Sequence, residues 1–266
     1  MRNVCNIIKE VYGVKYIQSL IIAFSMYSKI PMPRIEWNKE NMRFSMIFFP
    51  FVGIVCGAFL VGFYVFSDIL KINWLLKSII YTLIPIIVTG GIHMDGFLDT
   101  IDAISSYQTR ERRLEILKDS NSGAFAIIYG ISYMLFCVGV WSEIHEFKAV
   151  LVIAVSYMFS RSLSGYSVTA FKCAKNSGLA ATFSNMSDKK RAGIILLIEA
   201  LISAAVMIVV DIKSGLAAVF AGFIMFIIYR KLSYDKFGGI TGDLAGFFLQ
   251  MCEMFMITAV MLVYIL

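Results

Sequence analysis

The sequence predicts an all-α polytopic membrane protein, a helix bundle with about seven transmembrane helices and six to eight compatible with the pattern. Three observations carry this. Of the 266 residues, 59% are apolar and only 16% charged, against roughly 25% charged in soluble domains. Mean hydropathy is +0.78, too apolar for a disordered chain or for a globule that must cover its apolar surface. The apolar residues are gathered in long runs without alternation, so helices rather than barrel strands are expected.

The elements follow in order. A first, weaker run over 16–30 contains Gln18, Ser19, Ser25 and Ser28, and Pro31 and Pro33 stop it. Stronger runs cover 46–67, 74–92, 124–142, 149–171, 192–210, 214–229 and 244–266, each near the roughly 20 residues that cross a hydrocarbon core. No repeat or linker divides them, and residues 1–266 read as a single membrane-embedded domain. Met1-Arg2-Asn3 opens no cleavable signal pattern.

Basic residues set the orientation. Sixteen Lys and Arg fall in 29–45, 93–123, 172–191 and 230–241, whereas the intervening connections hold only Lys71, Lys77, Lys148 and Lys213. This places the first four segments in the cytoplasm, in a multi-pass protein of the cell membrane. If 16–30 lies in the interface there are seven crossings and an exterior C-terminus; if it crosses there are eight. The net charge of +6 then points to lipid headgroups and phosphorylated substrates rather than nucleic acid. The five cysteines, at 5, 56, 137, 173 and 252, have no metal or redox spacing and read as small core hydrophobes.

Three polar clusters carry chemistry. In Gly90-Gly91-Ile92-His93-Met94-Asp95-Gly96-Phe97-Leu98-Asp99-Thr100-Ile101-Asp102, three aspartates stand at i, i+4 and i+7 and share one helical stripe. Carboxylates so close repel unless a cation sits among them, and an all-oxygen donor set suits Mg²⁺. The alternative is a solvated acidic face. The Gly90-Gly91 pair either admits a ligand close to the backbone or ends the preceding helix. Arg110-Glu111-Arg112-Arg113, with Lys118-Asp119-Ser120 after it, is either a phosphate grip or a headgroup anchor. Phe237-Gly238-Gly239-Ile240-Thr241-Gly242-Asp243 is a phosphate or metal loop at a helix start, or simply a tight turn. Inside the apolar runs, Arg161, Glu199 and Glu253 are expected to face partners or a cavity; an Arg–Glu pair is the plain reading.

The first cluster resembles the GG-x-H-x-DG-x-x-D-T-x-D motif of the cobalamin synthases, the adenosylcobinamide-GDP ribazoletransferase family. Arg110-x-Arg112-x-Leu114-Glu115-Ile116-x-x-Asp119-Ser120-x-x-Gly123 resembles its next motif. Gly238-Gly239-x-Thr241-Gly242-Asp243-x-x-Gly246, with Glu253 beyond, resembles its C-terminal one. Pro31-x-Pro33 and Phe49-Pro50-Phe51-Val52-Gly53 also fit, so the resemblance spans nearly the whole chain. Ala103, Asn121 and Gln250 depart from the family's usual glycine, arginine and acid; they touch auxiliary contacts and leave the aspartates intact.

The resemblance implies a transfer that joins adenosylcobinamide-GDP to α-ribazole, or to its 5′-phosphate, with release of GMP. It implies Mg²⁺ on Asp95, Asp99, Asp102 and Asp243, and Asp243 or His93 accepting the alcohol proton. Arg110, Arg112, Lys118, Asp119, Ser120, Arg161, Gly239, Thr241, Gly242 and Glu253 would contact substrate. The sequence leaves open a homo-oligomer and the docking of other cobalamin-assembly enzymes. A CDP-alcohol phosphotransferase is the nearest rival, but its Ala-Arg after Asp-Gly is absent: Leu98-Asp99 stands there. A cation-coupled transporter is disfavoured because the acids gather at a membrane edge and no inverted repeat is seen.

Overall fold

The computed structural model describes residues 2–119 and 121–266, with side chains from Lys15 onward. The chain is all-α, a polytopic membrane protein. Helix α1 is Arg2–Tyr27 and α2 Lys39–Met42; a 3-10 turn, Ser45–Phe48, runs into α3, Phe49–Ile69. Then come α4 (Trp74–Thr89), α5 (Ile92–Ser105), α6 (Arg110–Ile116), α7 (Ala124–Ser142), α8 (Phe147–Ala170), α9 (Leu179–Met186) and α10 (Lys189–Val210). Helix α11 (Ile212–Leu232) ends in a π turn, Ser233–Phe237, before α12 (Gly242–Ile265).

Six helical stretches, Ser45–Ile69, α7, α8, α10, Ile212–Phe237 and α12, are long and apolar enough to cross a membrane. Helices α4 and α5 pass the same test together and meet at 97°, which gives up to seven crossings. Each strong run of the sequence except 74–92 became such a helix, because in lipid only an unbroken helix pairs all its backbone groups; 74–92 became α4, which passes the test only together with α5. The weaker run begins in α1 and continues past its end at Tyr27; α1 is not among these stretches.

Helix α8 is the hub. Of its apolar window 72% is buried, against 28% for α7 and α10, so the outer helices present their apolar faces to lipid. Helix α3 lies directly on it: a side chain at Gly53 or Gly57 would strike the carbonyl oxygens of Tyr157 and Ala154. This is the small-residue packing by which membrane helices approach closely.

The right-angle bend before α5 comes from Gly90 and Gly91, both at positive φ (66° and 80°). The Gly91 N–H donates to the Ile86 carbonyl at 2.9 Å, closing the end of α4. Of the two roles open to this pair, the structure uses it to end a helix. Helix α5 then crosses the N-terminal ends of other helices. Its Gly96 meets the start of α12, and its Asp102 caps the start of α7. Helix α5 thereby ties the starts of α7 and α12 together.

Candidate active site

The site forms where α5 crosses the first turns of α12. Two glycines make the crossing possible. A methyl group on Gly96 would lie 2.8 Å from the Asp243 carbonyl oxygen, and one on Gly246 would lie 3.0 Å from that of His93. Helix α12 is capped by Thr241, whose Oγ1 accepts from the Leu244 N–H at 3.2 Å. Its first turn thereby sets Asp243 against α5. Gly96→Val should push the helices apart at a cost of about 1–3 kcal/mol. Activity is expected to fall more than membrane insertion does, measured by turnover beside the yield of folded protein.

A cavity of about 310 Å³ opens at the crossing. His93 and Asp95 of α5 and Thr241, Gly242 and Asp243 of α12 line it. Tyr27 and Phe49 supply apolar wall, and Lys118 and Lys175 are its cations. His93 is buried, its ring 5.7 Å from that of Phe49 and 6.2 Å from that of Tyr27. Burial, with a smaller contribution from Arg161, pushes its imidazole well below the usual range. Its Nε2 has no hydrogen-bond partner among the described residues. Asp99, one turn along α5 from Asp95, is half-buried. Burial, then Asp95, Asp243 and Asp102, push its carboxyl up to about 7. Asp95, Asp99 and Asp243 form no ion pair among the described residues.

The aspartate stripe is thus divided between two tasks. Asp102 accepts from the Gly123 N–H and, at 2.8 Å, from the Ala126 N–H. It caps α7, and Gly123 carries no side chain that would collide with it. Among the described residues, no three His, Cys, Asp or Glu side chains are grouped closely enough to hold a metal by themselves. A complete four-aspartate metal cage is therefore not preassembled: Asp102 turns to the α7 terminus, and Asp95 and Asp243 face the cavity.

Other expected site residues lie elsewhere. Arg112 is paired on the surface with Glu115 at 2.7 Å. The Arg110 guanidinium covers Gly238, outside the cavity wall. Asp119 accepts from Asn121 at 3.0 Å through both its backbone and side-chain N–H groups. Ser120 lies outside the described residues. Arg161 and Glu253 pair with each other at 2.7 Å inside the bundle and do not line the cavity, as the plain reading of an Arg–Glu pair had it. Gly239 shapes the backbone before Thr241 rather than the wall. Sequence reasoning missed Lys175, Ser164 and Ser177, which line the cavity. Lys175 enters the sequence reading only among the basic residues of 172–191 that set the orientation. The small polar stretch Lys175-Asn176-Ser177-Gly178 between two apolar runs was the available signal.

Comparison with known proteins agrees with this motif order. The family model described as cobalamin-5-phosphate synthase matches residues 19–261. The chain belongs to the cobalamin-5-phosphate synthase family. A relative from Lachnoclostridium phytofermentans, named adenosylcobinamide-GDP ribazoletransferase, is 45% identical over 241 residues, covering 91% of this chain and 92% of its own. One of the same name from Clostridium perfringens is 31% identical, covering 90% of this chain and 95% of its own. No solved structure matches. Within the family frame, two of the unusual positions have local roles. Gln250 accepts from the Tyr133 hydroxyl at 2.7 Å in the buried core, and Asn121 closes the turn at Asp119.

Proposed function

We propose that this chain joins adenosylcobinamide-GDP to α-ribazole, or to its 5′-phosphate, and releases GMP. The observation that carries this is the α5–α12 crossing, which sets Asp95, Asp243 and His93 on one cavity in a chain of this family. In the reaction the ribazole hydroxyl attacks the phosphorus that bears cobinamide. A new P–O bond forms, the P–O bond to GMP breaks, and the hydroxyl proton leaves to a base. His93 suits the base because its imidazole lines the cavity, is pushed toward the neutral form by burial and is unpartnered at Nε2 among the described residues. That assigns Asp243 to charge rather than to proton transfer.

The donor chemistry also suits Mg²⁺. That ion takes one or two carboxylates and completes its shell with water and substrate phosphates, so a cavity with two facing carboxylates and no closed cage fits. Asp95 and Asp243, with Asp99 behind them, would hold it; when bound, it neutralises charge on the diphosphate. Asp102 serves α7 instead. The cavity would open to the cytoplasm of a cell-membrane protein, a reading supported by the basic residues of 93–123, 172–191 and 230–241.

The test uses purified protein in lipid with adenosylcobinamide-GDP, each acceptor in turn and Mg²⁺. Corrinoid product and GMP should appear in equal amounts, cease with EDTA and return with added Mg²⁺. Turnover unchanged in EDTA would remove the metal from this reading. GMP release with no corrinoid product would remove the transfer.

A further inference from the structure

Two lysines on separate loops share the cavity wall with the carboxylates. Lys118 follows α6, and Lys175 lies between α8 and α9. The Lys175 Nζ donates to the Leu114 carbonyl oxygen at the end of α6, which leaves two of its three donors for something else. Neither lysine is in an ion pair among the described residues. Burial and the neighbouring Lys118 push the Lys175 ammonium below its usual range, against the smaller opposing pull of Asp243 and Glu115, so two like charges face one cavity.

The backbone holds Lys175 in register with the catalytic turn. The Ile240 N–H donates to the Lys172 carbonyl at 2.9 Å, and the Ala174 N–H donates to the Ile240 carbonyl at 2.8 Å. These bonds form a parallel bridge between Cys173 and Ile240. Gly239, at φ 154°, permits the approach, since a side chain there would strike the Lys172 carbonyl. The segment bearing Lys175 is thereby tied to the segment bearing Thr241 and Asp243.

We propose that Lys118 and Lys175, beside the Ser177 hydroxyl, form a phosphate-holding subsite separate from the carboxylates and independent of any metal. The ammonium groups donate to phosphate oxygens as point charges. The identity of the phosphate rests on the transferase reading. It belongs either to the diphosphate of the nucleotide-activated substrate or to a 5′-phosphate on the incoming alcohol.

The test has two arms. The first measures calorimetric binding of inorganic pyrophosphate to the purified protein in EDTA. The wild-type protein should bind. Lys118→Gln and Lys175→Gln should each weaken binding by about tenfold or more, and Lys175→Arg should keep it. Lys118 is exposed, so its variant separates loss of charge from loss of fold. No wild-type binding, or wild-type affinity retained in both Gln variants, overturns the subsite. The second arm measures KM for adenosylcobinamide-GDP, α-ribazole and α-ribazole 5′-phosphate. A rise for the phosphorylated acceptor alone assigns the subsite to the acceptor. A rise for the GDP-bearing substrate with either acceptor assigns it to the diphosphate. Unchanged KM for all three overturns the proposal. Should the wild-type protein show no turnover, the transferase reading fails and the first arm still decides the subsite.

Discussion

Asp243→Asn should leave the protein inserted and folded while lowering kcat by about 10³-fold. Asn keeps the shape of the side chain and removes its charge. Asp243 is half-buried in the first turn of α12, where the Thr241 hydroxyl donates to its Oδ2 at 3.4 Å. It has no ion-pair partner to lose among the described residues, so its removal should cost the fold little. Groups that stabilise charge in a transition state typically account for 10²–10³ in kcat. Asp95→Asn should have a similar effect. The double variant should lose far less than the product of the two, because both would serve one charge. The measurement is kcat beside thermal unfolding in the same detergent. Either single variant turning over near the wild-type rate would remove these carboxylates from the chemistry.

The largest effect on stability is expected at Arg161 and Glu253. Their side chains are 1% and 3% exposed and meet at 2.7 Å. The Arg161 Nη1 also donates to the Tyr157 carbonyl at 2.9 Å, and the Ser160 hydroxyl donates to Glu253 at 3.3 Å. Removing one partner leaves a bare charge in a dry interior, a loss of about 3–5 kcal/mol. Arg161→Met and Glu253→Leu alone should therefore each lower the unfolding temperature sharply. The double variant, Arg161→Met with Glu253→Leu, should recover much of the loss, since a buried ion pair is often no better than well-fitted apolar groups. Single variants as stable as the wild-type protein would show that the pair is not what secures α8 to α12.

The two cases differ in how far they could be read in advance. The spans were legible because lipid permits one solution for an uninterrupted apolar run, so 124–142 became α7 residue for residue. The aspartate stripe was also legible as a stripe, since the helical period alone puts positions 95, 99 and 102 on one side. Its division of labour was not. The groups that Asp102 serves, the N–H groups of Gly123 and Ala126, belong to another helix, and nothing in the local pattern separates a cap from a ligand. The surroundings of Arg112 were not legible for a similar reason. Its Glu115 partner was visible at i+3, but whether the pair faced the cavity depended on where α6 was docked.

By itself, then, the sequence determined the all-α membrane architecture, the family through its ordered motifs, and the acidic and glycine-rich stretches that hold the site. Only the tertiary structure decided which side chains meet. Gly96 and Gly246 let α5 and α12 touch along their backbones, which sets Asp95 beside Asp243. The Cys173–Ile240 bridge carries Lys175 to the same cavity. The physical reason is range: hydropathy and helical period act over one or two turns of chain, whereas a site is made where distant backbones approach within van der Waals contact.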